Sequence, residues 1–246
     1  MRPSTTILSA AILLLIGSPA VAGSLTPPGP PAPTFKTLSD IEPRTLISPD
    51  QNSLEPVVID QPGSYYLGRD IQALPGQDAI TINANNVSLD LNGFTVRGNL
   101  EVMDGNGIVV NGENATIRNG QIRYLDGDGV NCGSGSVTLI NVDSTHNGGS
   151  GATCAHMRVD GGDFSHNTVN GLGGLYIAVD RVTANENGAN GVGMGADSRV
   201  AQSSFIGNTG FGIACPQGNA LVTETISKHN DAGNRLGCSV FSSEMP

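Results

Sequence analysis

The chain has 246 residues, of which 34 are Gly and 14 are Pro; only 14% are charged, and the formal net charge is −10. Gly is about twice and charge about half the usual share of ~7% and ~25%, but apolar content is ordinary, so disorder over the whole chain is excluded. The absence of strict Gly-X-Y order excludes collagen, and the absence of any Lys/Arg cluster along the chain argues against nucleic acid as a partner, because counterion release needs clustered cations.

The chain opens with a secretory pattern. Arg2 supplies the positive charge, Ile7 to Ile16 the short apolar core, and Ala20-Val21-Ala22 a cleavage site before Gly23. The core is too short to span a bilayer comfortably. No second apolar segment follows, so the mature chain is expected to have no membrane span and to be secreted or periplasmic. Residues 1–22 are therefore read as signal peptide and 23–34 (GSLTPPGPPAPT) as a Pro-rich linker. Residues 35–72 are read as an N-terminal cap, in which Phe35, Leu38 and Ile41 are the one trace of helical periodicity. Residues 73–240 are read as the body and 241–246 as a tail.

The body repeats. A small residue followed by an apolar one recurs as Gly107-Ile108, Gly129-Val130, Gly151-Ala152, Gly171-Leu172, Gly191-Val192 and Gly212-Ile213, and Arg235-Leu236 continues it; the spacings are 22, 22, 20, 20, 21 and 23. A second landmark is Asn147, Asn167, Asn187, Asn208 and Asn230. Eight residues before each stands an apolar residue: Leu139, Val159, Val179, Val200 and Val222. A fixed period of this length means stacked repeats. Leucine-rich repeats are excluded, because neither a Leu framework nor a helical segment is present. Short alternating runs between Gly, Asn and Asp punctuation read as strands and turns. One coil of a parallel β-helix fits the period, giving an all-β body of seven to eight coils. Equivalent residues would then form columns, with an Asn column hydrogen-bonding from coil to coil.

Asn86-Val87-Ser88-Leu89-Asp90-Leu91-Asn92-Gly93-Phe94-Thr95-Val96, echoed by Asn114-Ala115-Thr116-Ile117-Arg118-Asn119-Gly120-Gln121-Ile122, resembles the coil motif of secreted bacterial right-handed parallel β-helix proteins. Leu38 to Ile47 and Gln61 to Leu67 are similar to the N-terminal region of one such group. The resemblance covers most of the mature chain and implies a pectin-lyase-like fold. That fold hosts lyases, hydrolases, epimerases and proteins without known activity, so it says little about function. Asn86-Val87-Ser88 and Asn114-Ala115-Thr116 also match the glycosylation sequon, but here they read as strand and turn residues of the coil.

Cys132, Cys154, Cys215 and Cys238 each fall three residues after the small-apolar landmark, so they share one column. Neighbours in a column have Cα atoms ~5 Å apart, within disulfide range. The expected pairs are Cys132–Cys154 and Cys215–Cys238; the alternative is a buried column of free thiols.

Three sets of residues are candidates for chemistry. Asp143 and Asp163 stack on adjacent coils, as do Asp160 and Asp180, and two close carboxylates are raw material for glycoside hydrolysis. His146, His166 and His229 each precede the repeating Asn. Asp143/His146 and Asp163/His166 are spaced as proton-transfer pairs. Asp104, Asn106, Asp126 and Asp128 form an oxygen-rich turn of the kind calcium takes; calcium would also let an acidic protein hold an acidic glycan. Against catalysis stand the near absence of Lys from the body, the scattered Arg, the lack of Trp and the scarcity of Tyr, and coil lengths that leave little room for loops walling a groove. The sequence therefore points first to a scaffold that binds polysaccharide or cell-envelope glycan. The alternative is a polysaccharide-modifying lyase, hydrolase or epimerase using Asp143, Asp163, His146 and His166.

Overall fold

The computed structural model describes residues 42–50, 55–98, 105–133, 135–218 and 220–240. The expected signal peptide, linker and tail, and Asp104, lie outside them. The described residues are strands and turns that wind into a right-handed parallel β-helix.

Each coil has three faces. The first is a nine-stranded parallel sheet running from Val57–Ile59 through Ile80–Ile82, Ile108–Val110 and Val130–Asn131 to Gly233–Leu236. At ~4.8 Å per strand its length is about 40 Å. The second face starts at Thr45–Ile47 and Gly63–Leu67 and continues through the first halves of the long strands Ala115–Arg123, Ser136–Thr145, His156–Asp163 and Tyr176–Thr183. The second halves of those strands form the third face, which begins at Ile71–Gln72 and Thr95–Arg97. Strands thus begin inside the segment expected to cap the body, and Thr45–Ile47, Val57–Ile59, Gly63–Leu67 and Ile71–Gln72 pair in register with the coils that follow.

One residue makes the bend between the second and third faces. Asn92, Asn119, Asn141, Arg181, Gln202 and Glu224 have φ between 46° and 59°, and Gly161 completes the column at 73°. A single left-handed residue turns the chain without ending the ladder, and Asn tolerates that conformation better than most residues.

The repeating apolar positions point inward except in the last coil, where Arg235 pairs with Ile213 and Leu236 is exposed. Ile80, Ile108, Val130, Ala152, Leu172, Val192 and Ile213 form one column at 0% exposure. Leu89, Ile117, Leu139, Val159, Val179, Val200 and Val222 form a second, with none above 2%. Phe164 and Phe205 fill the third side. Each fully buried Val, Leu, Ile or Phe contributes about 1.5–3 kcal/mol. Cys132 is disulfide-bonded to Cys154 and Cys215 to Cys238, with Cα separations of 4.7 and 5.1 Å; the first pair shares a column, whereas Ala214 pairs with Leu236, which leaves Cys238 one residue past the position opposite Cys215.

A charged cluster fastens the first coil. Asp90, 7% exposed, accepts from Arg44 and Arg118 at 3.1 Å each and from the amide of Asn92 at 2.9 Å. Burial by itself raises the Asp90 pKa. The bonds from Asn92, Asn119 and Arg118 outweigh it and hold the carboxyl below its usual range. Glu42 grips Arg44 through two bonds of 2.8 Å, which lower its own pKa to about 2. Arg44 also lies over the Tyr66 ring, 4.6 Å from its centroid.

Candidate functional site

The corner between the third and first faces unites both sequence landmarks. Asn147, Asn167, Asn187, Asn208 and Asn230 are buried there. Each of the first four donates its side-chain amide to the Oδ1 of the Asn on the next coil, at 2.9–3.3 Å. Each of those Oδ1 atoms also accepts a backbone N–H, as when Asn167 Oδ1 accepts from Asn147 N at 3.1 Å. The landmark glycines lie against this ladder. A Cβ on Gly151 would stand 2.6 Å from the carbonyl of Gly171 and 2.9 Å from Asn167 Nδ2, so only Gly fits.

The residue before each ladder position turns the chain with positive φ: Tyr124 at 60°, His146 at 57°, His166 at 60°, Glu186 at 53°, Gly207 at 68° and His229 at 55°. The buried Asn behind and the turn in front put these side chains on the surface, one above another. Tyr124 and His146 have ring centroids 5.5 Å apart; those of His146 and His166 are 4.8 Å apart, with the planes 29° from parallel. His166 Nδ1 lies 3.5 Å from Glu186 Oε2. All four side chains are exposed. With Asp126, Gly148 and Thr168 the three rings line a shallow open depression of about 380 Å³. A second ring pair, His156 and Tyr176, stacks at 5.1 Å at the start of the second face.

The structure thus brings His146 and His166 together, but not with their expected carboxylates. Asp143 Oδ1 accepts the amide of Asp163 at 3.0 Å, and Asp163 Oδ1 accepts the amide and hydroxyl of Ser165. Among the described residues neither aspartate forms an ion pair or hydrogen bond with a histidine. Asp160 and Asp180 stack as expected and are bridged by Arg181, the left-handed residue of that bend.

The oxygen-rich turn also serves the backbone. Asp78 Oδ1 accepts from Asn106 N, Asn106 Oδ1 from Asp128 N, and Asp128 Oδ1 from Ser150 N, at 2.7–2.9 Å. Ser150, Asn170 and Asn190 continue the same ladder. Asp126 stands apart from it, on the rim of the ring depression. Among the described residues no three His, Cys, Asp or Glu side chains gather as a metal site.

Sequence reasoning passed over Tyr124 and Glu186. Both share the turn column with the histidines, and the signal was positional: each stands one residue before a ladder slot, occupied by Leu125 and Asn187.

No protein-family profile and no curated protein matches the chain. Solved structures similar to it include pectate lyase Pel9A, at 17% identity, covering 74% of this chain and 70% of that one, with a TM-score of 0.47. Another is the A-module of the Azotobacter vinelandii mannuronan C-5 epimerase AlgE4, at 12% identity, covering 81% and 86%, with a TM-score of 0.48. Among the described residues no helix is long and apolar enough to cross a membrane.

Proposed function

We propose that the protein is a secreted or periplasmic β-helix scaffold that binds glycan along the exposed ring column Tyr124–His146–His166 and does not cleave it. The ring column carries the reading. Three rings spaced about one coil apart stand outside a rigid, hydrogen-bonded corner in a shallow depression open to a long ligand. Tyr and His present an apolar face with a polar tip, which suits a sugar ring bearing hydroxyls. The two disulfides accord with an oxidising compartment.

The carboxylates favour binding over hydrolysis. Acid–base cleavage asks for two carboxyl groups free to face one glycosidic bond. Here Asp143 and Asp163 accept bonds from the coil itself, and Asp160 and Asp180 are bridged by the single Arg181. The test is a glycan-binding panel on the purified protein and on Tyr124→Ala and His146→Ala. Binding that both variants weaken supports the proposal. New reducing or unsaturated ends that vanish in Asp163→Asn would replace it with the enzymatic alternative.

A further inference from the structure

We propose that Arg97 and Arg123 form a binding site for an oxyanion, a carboxylate, sulfate or phosphate group borne by a ligand, at the head of the ring column. The two arginines are 26 positions apart in a chain without basic clusters, yet they are directly paired on adjacent coils of the third face. Val96 and Ile122, the residues beside them, point inward at 0% exposure, so both guanidinium groups leave on the outer surface. Like charges directly opposite each other on adjacent strands destabilise a sheet. The protein carries a net charge of −10, yet among the described residues neither arginine forms an ion pair. Along the column the neighbours are Gln72 and Thr145, and beside the pair on the same strands are Thr95 and Gln121, all neutral. Across the diagonals stand Asp70, which accepts the amide of Thr95, and Asp143, which accepts the amide of Asp163; Asp50, Glu55 and Asp78 share a cavity with Arg97.

Arg123 is also held in place. Its guanidinium lies over the Tyr124 ring, 5.5 Å from the centroid, and its Nε is buried without a hydrogen-bond partner. A covered, unpartnered donor is unfavourable, so the fold holds a charge here that its own interactions do not satisfy. Two arginines paired on adjacent coils can offer guanidinium donors to the paired oxygens of one oxyanion, with charge-assisted bonds. Tyr124 joins this site to the ring column, through the Arg123 contact on one side and the His146 contact on the other. A ligand lying on the rings would therefore place an acidic group at Arg97 and Arg123. The site stands on its own geometry; only the identification of the carrier as a glycan rests on the function proposed above.

The experiment titrates the full secreted protein with sodium sulfate, sodium phosphate and sodium glucuronate, against sodium chloride of matched ionic strength. Calorimetry and melting temperature are the readouts. The expected result is one saturable site that raises the melting temperature, with binding about tenfold weaker in Arg97→Gln and in Arg123→Gln. In chloride alone Arg97→Gln should melt no lower than the parent, because it relieves repulsion. Arg158→Gln, on the second face, should bind as the parent does. Tightest binding of glucuronate assigns the group to a uronate; tightest binding of sulfate or phosphate assigns it to an ester. Oxyanions that act no differently from chloride, or equal weakening in Arg158→Gln, would overturn the proposal. Saturable oxyanion binding with a silent glycan panel would sustain the site and refute the glycan function. Glycan binding unchanged in the Arg97→Gln/Arg123→Gln double variant would do the reverse.

Discussion

Asn167→Ala should be among the most damaging single changes in the protein. The Asn167 side chain is 1% exposed. Its Oδ1 accepts the backbone N–H of Asn147 at 3.1 Å, and its Nδ2 donates to the carbonyls of Ser144 and Phe164 at 3.0 Å each. Truncation leaves the Asn147 N–H unsatisfied where water cannot reach it, at a cost of about 1–3 kcal/mol. Two carbonyls also lose a donor, and a small void remains. The total is about 3–4 kcal/mol, a large part of the ~5–15 kcal/mol that holds a domain folded. Asn170→Ala is the matched control. Asn170 belongs to the outer ladder and its Oδ1 also accepts a backbone N–H, from Asn190, but it is only half-buried, so water can take its place. That variant should lose under about 1 kcal/mol. Urea unfolding at unchanged m-value measures both. A loss at Asn167 no larger than that at Asn170 would refute the view that the buried ladder holds the corner.

Acid should loosen the first coil. The pKa of Glu42 falls from 4.5 to about 2, and that of Asp90 is also lowered, so both carboxylates contribute stability that is present above their unfolded values and lost as pH falls from about 4.5 toward 2. The melting temperature should drop across that window, and Asp90→Asn should flatten the drop; equal slopes would contradict the assignment. Each disulfide closes a loop of just over twenty residues and should add about 3 kcal/mol. Under mild reductant Cys215–Cys238 should open first, because Cys238 is only partly buried whereas Cys132 and Cys154 are both buried; alkylation and mass analysis that found Cys132 or Cys154 labelled earlier would contradict this. His229→Gly should leave stability unchanged or raise it by up to about 1 kcal/mol, because φ at this position is 55° and Gly207 already fills the equivalent slot. A loss above 1 kcal/mol would mean that His229 makes a contact beyond its backbone role.

The fold was legible because its rules are local and repeated. Val130 and Ile213 mark the first face, Leu139 and Val200 the second, and the Gly-plus-Asn corner recurs at the same interval. Columns of like residues followed from the period, as did both cysteine pairs, although the register of the last coil slips by one residue and sets Cys238 just past the column of Cys215. The site was only partly legible. The histidines stood out by their regular place before Asn, but the sequence suggested Asp143 and Asp163 as their partners. Three positions along a strand and turn separate each pair, which shares a column spacing without facing each other. The neighbours of His146 are His166 and, 22 positions earlier, Tyr124, which shares its backbone conformation and not its chemistry. Arg97 and Arg123 were invisible for a similar reason: the coil between them is longer than the others, so the spacing of 26 falls outside the 20–23 period. Only the strand register pairs them. The lack of Trp and the scarcity of Tyr count against catalysis in the sequence and show nothing of where the few rings meet. Stacking turns the few that exist into a continuous surface.

The measurement that bears most directly on the whole account is a polysaccharide panel read twice, once for binding and once for new chain ends, with and without calcium. The protein, Tyr124→Ala, His146→Ala and Asp163→Asn would be run side by side. The account predicts binding to at least one glycan, about tenfold weaker in each ring variant, intact in Asp163→Asn, with no new ends formed. New ends that disappear in Asp163→Asn, or binding indifferent to both ring substitutions, would contradict it.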